Sequence, residues 1–382
     1  MATLRDIAIL ADVSTATVSH VVNGTSHVSE KLRERVLSAV EELNYQPNAV
    51  ARSLRTRQSH TIGMIIPDIS NPFFPAVVRG AEDVLARSGY ALLVGNSDND
   101  VSKEEMYYRR FLERQVDGLL TVATSDEPSP VLKRLIIQPT PVVYVDRYYS
   151  AMPGDTVIAN NVEGSKDAVR HLIETGHKRV AIITGPLQLA NARARLVGYQ
   201  RALKESGLPE RKELILEGTF DIKSGFIQTN KLLSVRPTPD ALFVCNAQMA
   251  CGTLRALGEA GIVVPNQIAL ACFDKLDFFD LLRPRLTCVA APSYELGAVA
   301  ARLLLNRISG KLAGSWQRKV LPATLVLGES SGCLSQTKRT HQKSDDCQGG
   351  QSPFPDEGVK GERLRAVSTS RDMSVSSFVP PR

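Results

Sequence analysis

Residues 3–57 read TLRDIAILADVSTATVSHVVNGTSHVSEKLRERVLSAVEELNYQPNAVARSLRTR. Thr3 followed by Asp6 is a variant of the capping box, and Leu4, Ile7, Ala8 and Ala11 then recur at helical spacing, which predicts a first helix from Leu4 to Leu10 or Ala11. Asp12-Val13-Ser14 leaves room only for a tight turn, and Ser14 is placed to accept from the free amides of a second helix that starts at Thr15. The spacing predicts a helix-turn-helix.

In the second helix Val18, Val21 and Val22 share one side and can pack on Ile7 and Ala8, leaving Thr15, Ala16, Thr17 and His20 outward. A helix that puts its first residues against base edges in the major groove needs such an unobstructed polar face. Ser29 stands where it can cap a third helix with the stripe Leu32, Val36, Val40 and Leu43, ending at Asn44, with Lys31, Arg33 and Arg35 available to phosphates. The same spacing also suits a three-helix bundle with no DNA role. The residues after Asn44 argue against that: Pro47 stops the helix, Asn48 can cap again, and AVARSLRTR is a short basic segment with no acid from Tyr45 to Arg57. So short a helix does not persist without a partner.

The motifs VSTATVSHVVNG, VS before the third helix, ELNYQPNAVARSL and the IG of the next strand occur in one order. In that order they resemble the headpiece and hinge of the lactose repressor and purine repressor (LacI/GalR) family of bacterial transcriptional regulators. The resemblance implies hinge helices of two subunits paired in the minor groove, with a leucine wedged into the central base step, as apolar wedges do elsewhere. On this chain it implies Leu54 as the wedge, with Ala51, Arg52, Ser53 and Arg55 beside it and Thr15, Ala16, Thr17 and His20 in the major groove.

At 382 residues the chain exceeds one domain, and its net charge of +6 suits a nucleic-acid partner without proving one. Six cysteines, at 245, 251, 272, 288, 333 and 347, form no CxxC pair and have no histidine at metal-ligand spacing. Reduced thiols are expected, with no metal, no cofactor and no disulfide frame. The N-terminus enters a polar helix without a leader and no apolar run reaches membrane length, so a cytoplasmic protein acting at the bacterial nucleoid is expected, with no membrane partner.

From Ile62 to about Gly328 short apolar runs alternate with amphipathic segments, the pattern of βαβ units. Strands are expected at Ile62–Ile66, Ala91–Val94, Gly118–Val122, Val142–Val145, Val180–Thr184, Leu214–Leu216, Ala241–Cys245 and Ile268–Phe273. A quasi-repeat divides them. GAEDVLARSGY from Gly80 and GYQRALKESGL from Gly198 each follow one apolar strand and precede another that opens Asp-(Gly/Ala)-Leu, at Asp117 and Asp240. The expected fold class is α/β: an all-α helix-turn-helix headpiece on a two-lobed, doubly wound parallel-sheet effector domain resembling secreted periplasmic solute-binding proteins. The expected divisions are a headpiece over 1–46, a hinge over 47–59, a two-lobed effector and dimerisation domain over 60–330 and a disordered tail over 331–382, which has no leucine heptad.

Open parallel sheets bind ligands at the carboxyl ends of their strands. The polar and aromatic residues there are Asp68, Asn71, Phe73, Phe74, Asn96, Ser97, Asp98, Asp146 and Arg147 in the first lobe, and Asn191, Arg195, Phe220, Asp221, Asn246 and Asp274 in the second. Each has an alternative role as helix cap or turn former. Carboxylates, amides, arginine and ring faces suit a small polyhydroxylated ligand. Resemblance to the family's effector domain implies contacts from Phe73, Phe74, Asp146, Asn191, Arg195, Phe220, Asn246 and Asp274, with Arg195 and Asp274 foremost. Two departures stand out: Asn246-Ala247 lacks a rim carboxylate the family usually carries, and Lys275 sets a cation beside Asp274.

No GxSxG, P-loop or HExxH pattern occurs, so an enzyme is not expected. The resemblance implies a homodimer with contributions from Phe73–Leu85 and Phe278–Leu282, for which ordinary core packing is the alternative. The expected function is a transcriptional regulator, read as a repressor, on a pseudo-palindromic operator of double-stranded DNA, with affinity controlled by a sugar or sugar derivative. A nucleobase corepressor on the same fold, or a cytosolic solute sensor without operator binding, is the alternative.

Overall fold

The computed structural model describes residues 2–24, 26–45, 58–137 and 140–332. The hinge expectations, including Ala51, Arg52, Ser53, Leu54 and Arg55, and those for the tail from residue 333 lie outside these residues.

Three helices form the headpiece: α1 (Leu4–Leu10), α2 (Thr15–Asn23) and α3 (Glu30–Glu42). The capping box closes at both ends, Thr3 N donating to Asp6 at 2.8 Å and Asp6 N to Thr3 Oγ1 at 3.3 Å. Ser14 Oγ accepts from Thr17 N at 3.1 Å. Ser29 takes the position before α3, yet its side chain makes no capping bond. Ile7, Ala8, Ala11, Val18, Val36 and Ala39 are buried together, with Val21, Val22, Val40 and Leu43 packed against them.

Arg35 departs from its expected role at phosphates. Its guanidinium donates to the carbonyls of Ala11 at 2.6 Å and Asp12 at 3.0 Å, tying α3 to the turn between α1 and α2. The carbonyls at the end of α1 lack helical partners and carry the negative end of its dipole, so a cation settles there.

The body holds two sheets. The strands of the first are β1 (Thr61–Ile66), β2 (Ala91–Asn96), β3 (Gly118–Thr121), β4 (Val142–Val145), β5 (Asp155–Ala159) and β11 (Arg318–Leu321), ordered β11-β5-β4-β3-β1-β2 with every pair parallel. In the second are β6 (Val180–Thr184), β7 (Ile215–Glu217), β8 (Ala241–Val244), β9 (Ala269–Phe273), β10 (Thr287–Ala290) and β12 (Thr324–Val326), ordered β12-β10-β9-β8-β6-β7, with only β12 antiparallel. Helices α4 (Phe73–Arg87), α5 (Val101–Glu113), α6 (Pro130–Ile137), α7 (Asn161–Glu174), α8 (Ala190–Glu205), α9 (Ile222–Ser234), α10 (Ala247–Glu259) and α11 (Ser293–Ile308) complete it.

The repeated aspartates have one structural job in both lobes. Asp117 accepts from the backbone amides of Ser59 and His60, at 2.7 and 2.9 Å, just before β1. Asp240 accepts from those of Lys178 and Arg179, at 2.9 and 3.0 Å, just before β6. Each carboxylate clamps the start of its lobe's first strand.

The chain passes between the sheets at Asn160, at Ala291-Pro292 and at Pro322-Ala323, so α11 and β11 return to the first lobe. Connections of one or two residues make the lobes neighbours that can hinge. Strands β5, β10, β11 and β12 were not expected from the sequence. Each opens on polar residues, Asp155-Thr156, Thr287, Arg318-Lys319 and Thr324, which break the apolar run by which the other strands were read.

In α4, expected to contribute to a dimer, Phe73, Phe74, Val77, Ala81 and Leu85 are buried in the first-lobe core with Leu296, Ala300 and Leu304 of α11. In the other expected stretch Phe279 is buried, whereas Phe278 and Leu281 are 45% and 80% exposed. The helices α4 and α11 touch backbone to backbone. A methyl group on Gly80 would lie 1.9 Å from the Tyr294 carbonyl oxygen, and one on Gly297 1.9 Å from that of Val77. Gly80→Ala is therefore expected to lower unfolding free energy by about 1–3 kcal/mol, through overpacking, in urea denaturation. Unchanged stability contradicts the close crossing.

Candidate functional site

Strand ends of the two sheets face one another across the crossover, and three site residues there share an uncommon backbone. Asp146 after β4, Phe220 after β7 and Asp274 after β9 have φ of 61°, 64° and 66°. Aspartate tolerates the left-handed region; a bulky phenylalanine seldom adopts it. Space for the Phe220 ring comes from Gly185, where a methyl group would fall 2.0 Å from the ring.

The second-lobe wall is built on Arg195, from the second turn of α8. Its Nε donates to Asn161 Oδ1 at 2.8 Å and its Nη1 to the Cys245 carbonyl. The same Nη1 lies 3.9 Å from Asp274 Oδ2, and the guanidinium covers the Phe273 ring at 3.8 Å. In the first-lobe wall Arg147 Nη1 donates to Asn99 Oδ1 at 3.1 Å, while its Nε stands 3.9 Å from Asp146 Oδ2. The Arg147 guanidinium lies between rings of both lobes, 5.6 Å from Phe74 and 5.3 Å from Phe220. One direct bond joins the walls: Asn191 Nδ2 donates to Asp146 Oδ2 at 3.0 Å.

Two carboxylates and two guanidiniums are thus buried together, and their formal charges cancel. Four polar atoms in this cluster are buried without a hydrogen-bond partner: Asp146 Oδ1, Arg147 Nε, Asn191 Oδ1 and Asp274 Oδ1. Burial pushes the Asp274 carboxyl up to about 6 although Arg195 opposes the shift, and it raises the Asp146 carboxyl against the pull of Arg195 and Arg147. It also lowers the Arg147 guanidinium to about 10. Unmet groups of this kind cost free energy unless something polar meets them.

Other sequence candidates stand elsewhere. Phe73 packs into the core with its ring edge-on to Phe74, 5.1 Å between centroids. Asn246 caps α10, accepting from Met249 N at 2.8 Å, and its amide nitrogen donates to the Phe220 carbonyl at 2.8 Å, so it braces Phe220 from behind. Asp68 accepts from Ser70 N while its charge still reaches Arg147, Asp98 pairs with Lys103, and Asp221 caps α9. Lys275, expected beside Asp274, turns away to Asp280 at 2.8 Å. The sequence pattern did not single out Asn161, which orients Arg195. Its signal was hidden with β5, whose end it follows.

In the headpiece Thr15, Ala16 and His20 are exposed and Thr17 is half-buried, with Thr17 Oγ1 2.9 Å from Ser14 Oγ.

Two family patterns match the chain: bacterial regulatory proteins of the lacI family over residues 3–48, and a periplasmic binding protein-like domain over 169–331. The ribose operon repressor of Haemophilus influenzae is 35% identical over 330 residues, covering 86% of this chain and 98% of that protein. The chain belongs to the LacI family of bacterial regulatory proteins. Among solved structures, a lac repressor dimer bound to operator and the anti-inducer ONPF aligns with TM-score 0.77 and 29% identity, over 86% of this chain and 99% of that one. A LacI family regulator from Enterococcus faecium with bound ribose aligns with TM-score 0.63 and 29% identity, over 71% and 98%. As a member of this family the chain is a DNA-binding transcriptional regulator, its headpiece the DNA-binding module and its body the effector-binding domain. Among the described residues no helix is long and apolar enough to cross a membrane, and the four cysteines are free thiols.

The Asp274 carboxyl, at about 6 when folded, returns to its usual value near 4 when unfolded. The folded chain therefore holds this proton more tightly, a stabilisation that is complete below about 4 and lost as pH rises through about 6. Asp274→Asn is expected to flatten the stability change between pH of about 7 and about 5 in urea denaturation. A profile unchanged by the substitution contradicts the buried placement of this carboxyl.

Proposed function

We propose that the protein is a homodimeric repressor of the bacterial cytoplasm that binds a pseudo-palindromic operator, and that a neutral monosaccharide in the cleft controls its DNA affinity. One observation carries this reading: the charge-balanced cluster of Asp146, Arg147, Arg195 and Asp274, with Asn191, leaves four polar atoms without partners where the lobes meet. Three are acceptors and one is a donor. Their natural complement is a ligand rich in donors, which means hydroxyls. Cancelled charges in a buried site favour a neutral ligand over a sugar acid or sugar phosphate, whose extra charge would be desolvated without a counterion. The Phe74 and Phe220 rings supply apolar faces for C–H surface. A pentose is the leading candidate, and the names of the ribose operon repressor and of the ribose-bound regulator support it.

Control passes through the hinge. Asn191 and Asp146 link one lobe to the other, so a ligand held by both walls shifts the balance of lobe positions by its differential affinity. Residues 47–59 are the proposed hinge between a headpiece over 1–46 and a two-lobed domain over 60–330. In two subunits it pairs and folds on DNA when the first lobes are suitably spaced. Thr15, Ala16, Thr17 and His20 read bases in the major groove, and Leu54 wedges the minor groove with Ala51, Arg52, Ser53 and Arg55 beside it. Each carboxylate stands beside an arginine of its own lobe and keeps one oxygen for a ligand hydroxyl, a binding rather than a catalytic arrangement.

Fluorescence anisotropy on the symmetric DNA upstream of the protein's own gene, with and without D-ribose, tests the reading. Specific binding that changes with sugar is expected. Leu54→Ala is expected to weaken specific binding by on the order of tenfold and to leave binding to random DNA unchanged. Equal losses on both DNAs contradict the wedge, and no preference for symmetric DNA contradicts the repressor.

A further inference from the structure

Helix α8 begins with three polar residues at alternate positions, Asn191, Arg193 and Arg195. Asn191 and Arg195 are buried in the cleft, while Arg193 emerges at its rim. There its Nη1 donates to Asp126 Oδ2 at 2.9 Å and its Nη2 to Asp126 Oδ1 at 3.2 Å, with Ser150 Oγ at 3.5 Å from Nη2. Asp126 and Ser150 belong to first-lobe loops, Arg193 to the second lobe. The pair therefore spans the cleft as the Asn191–Asp146 bond does, but at its edge.

We propose that Arg193 and Asp126 form a salt-sensitive latch that adds to effector affinity without touching the effector. This rests on the reading that the cleft closes on a ligand. The guanidinium is held ready by its own lobe: the two hydrogens of Nη1 are shared among Asp126 Oδ2 and the carbonyls of Leu187 at 3.0 Å and Gln188 at 2.7 Å. Closure then has only the Asp126 carboxylate to bring in, and a planar fork already oriented loses little freedom on gaining a bidentate partner. The two side chains are 39% and 35% exposed, so the pair is wet enough to be screened by salt and dry enough to matter. The other rim contact, Gln248 Nε2 to the Ser70 carbonyl at 3.3 Å, is uncharged.

The consequence is specific. A neutral sugar meeting a site of cancelled charge has no reason to bind in a salt-dependent way, so ionic strength acts on its affinity through the latch.

Isothermal titration of the full-length chain with D-ribose at about 50 mM and about 500 mM KCl tests this. The dissociation constant of the unaltered protein is expected to rise about two- to fivefold with salt. Asp126→Asn and Arg193→Met are expected to raise it by a similar factor at low salt and to abolish the salt dependence, and the exchange Asp126→Arg with Arg193→Asp to recover part of both. A salt dependence that survives Asp126→Asn overturns the latch. If the unaltered protein binds no sugar, the effector reading fails, and the latch is then read from a sugar-free double-mutant cycle in thermal unfolding. Non-additive shifts for Asp126→Asn and Arg193→Met support it, and additive shifts overturn it.

Discussion

Two carboxylates and two guanidiniums buried where two sheets meet are tolerable only because they neutralise one another. Asp146 and Arg147 belong to one lobe, Arg195 and Asp274 to the other, and each lobe contributes one charge of each sign. Removing any one leaves a buried charge without its counterpart, whereas the intact group is neutral and still under-bonded. The orphaned oxygens and nitrogen stand where both lobes come together. Much of the fold serves this arrangement: left-handed turns at Asp146, Phe220 and Asp274 aim the strand-end residues, Asn161 fixes Arg195, and Asn246 holds Phe220 from behind.

The same arrangement explains how a small molecule can act on DNA. The lobes are joined by short crossings, and among the described residues their cross-cleft bonds are few: Asn191 to Asp146 within, and Arg193 to Asp126 and Ser150 and Gln248 to Ser70 at the rims. Few contacts mean that modest ligand free energy can shift the balance between lobe positions.

The headpiece was legible because its determinants are local. Thr3 with Asp6, Ser14 with Thr17 and the valines of α2 act within a few residues of one another, so spacing alone placed the helices. Asp117 and Asp240 were legible as a repeat, though their use as clamps on strand starts needed the structure. The bonds of Arg35 to the carbonyls of Ala11 and Asp12 were illegible because these partners are distant in sequence. Strands β5, β10, β11 and β12 open on polar residues that interrupt the apolar run, and with β5 went the chance to notice Asn161. The charge balance of the cleft was illegible for a related reason: sequence named the aspartates and arginines, but only the fold shows that the four share one buried volume. At Asn246 caps and ligand contacts use the same residue type at a strand end, and only the structure shows the cap.

The central claim is that a charge-neutral buried cluster selects a neutral polyol. Isothermal titration of one protein sample with D-ribose and with the matching carbon chain bearing a carboxylate, D-ribonate, tests it most directly. The account expects measurable binding of ribose and at least about a hundredfold weaker binding of ribonate, since an added buried charge has no counterion there. Binding of ribonate as tight as that of ribose, or tighter, would contradict it.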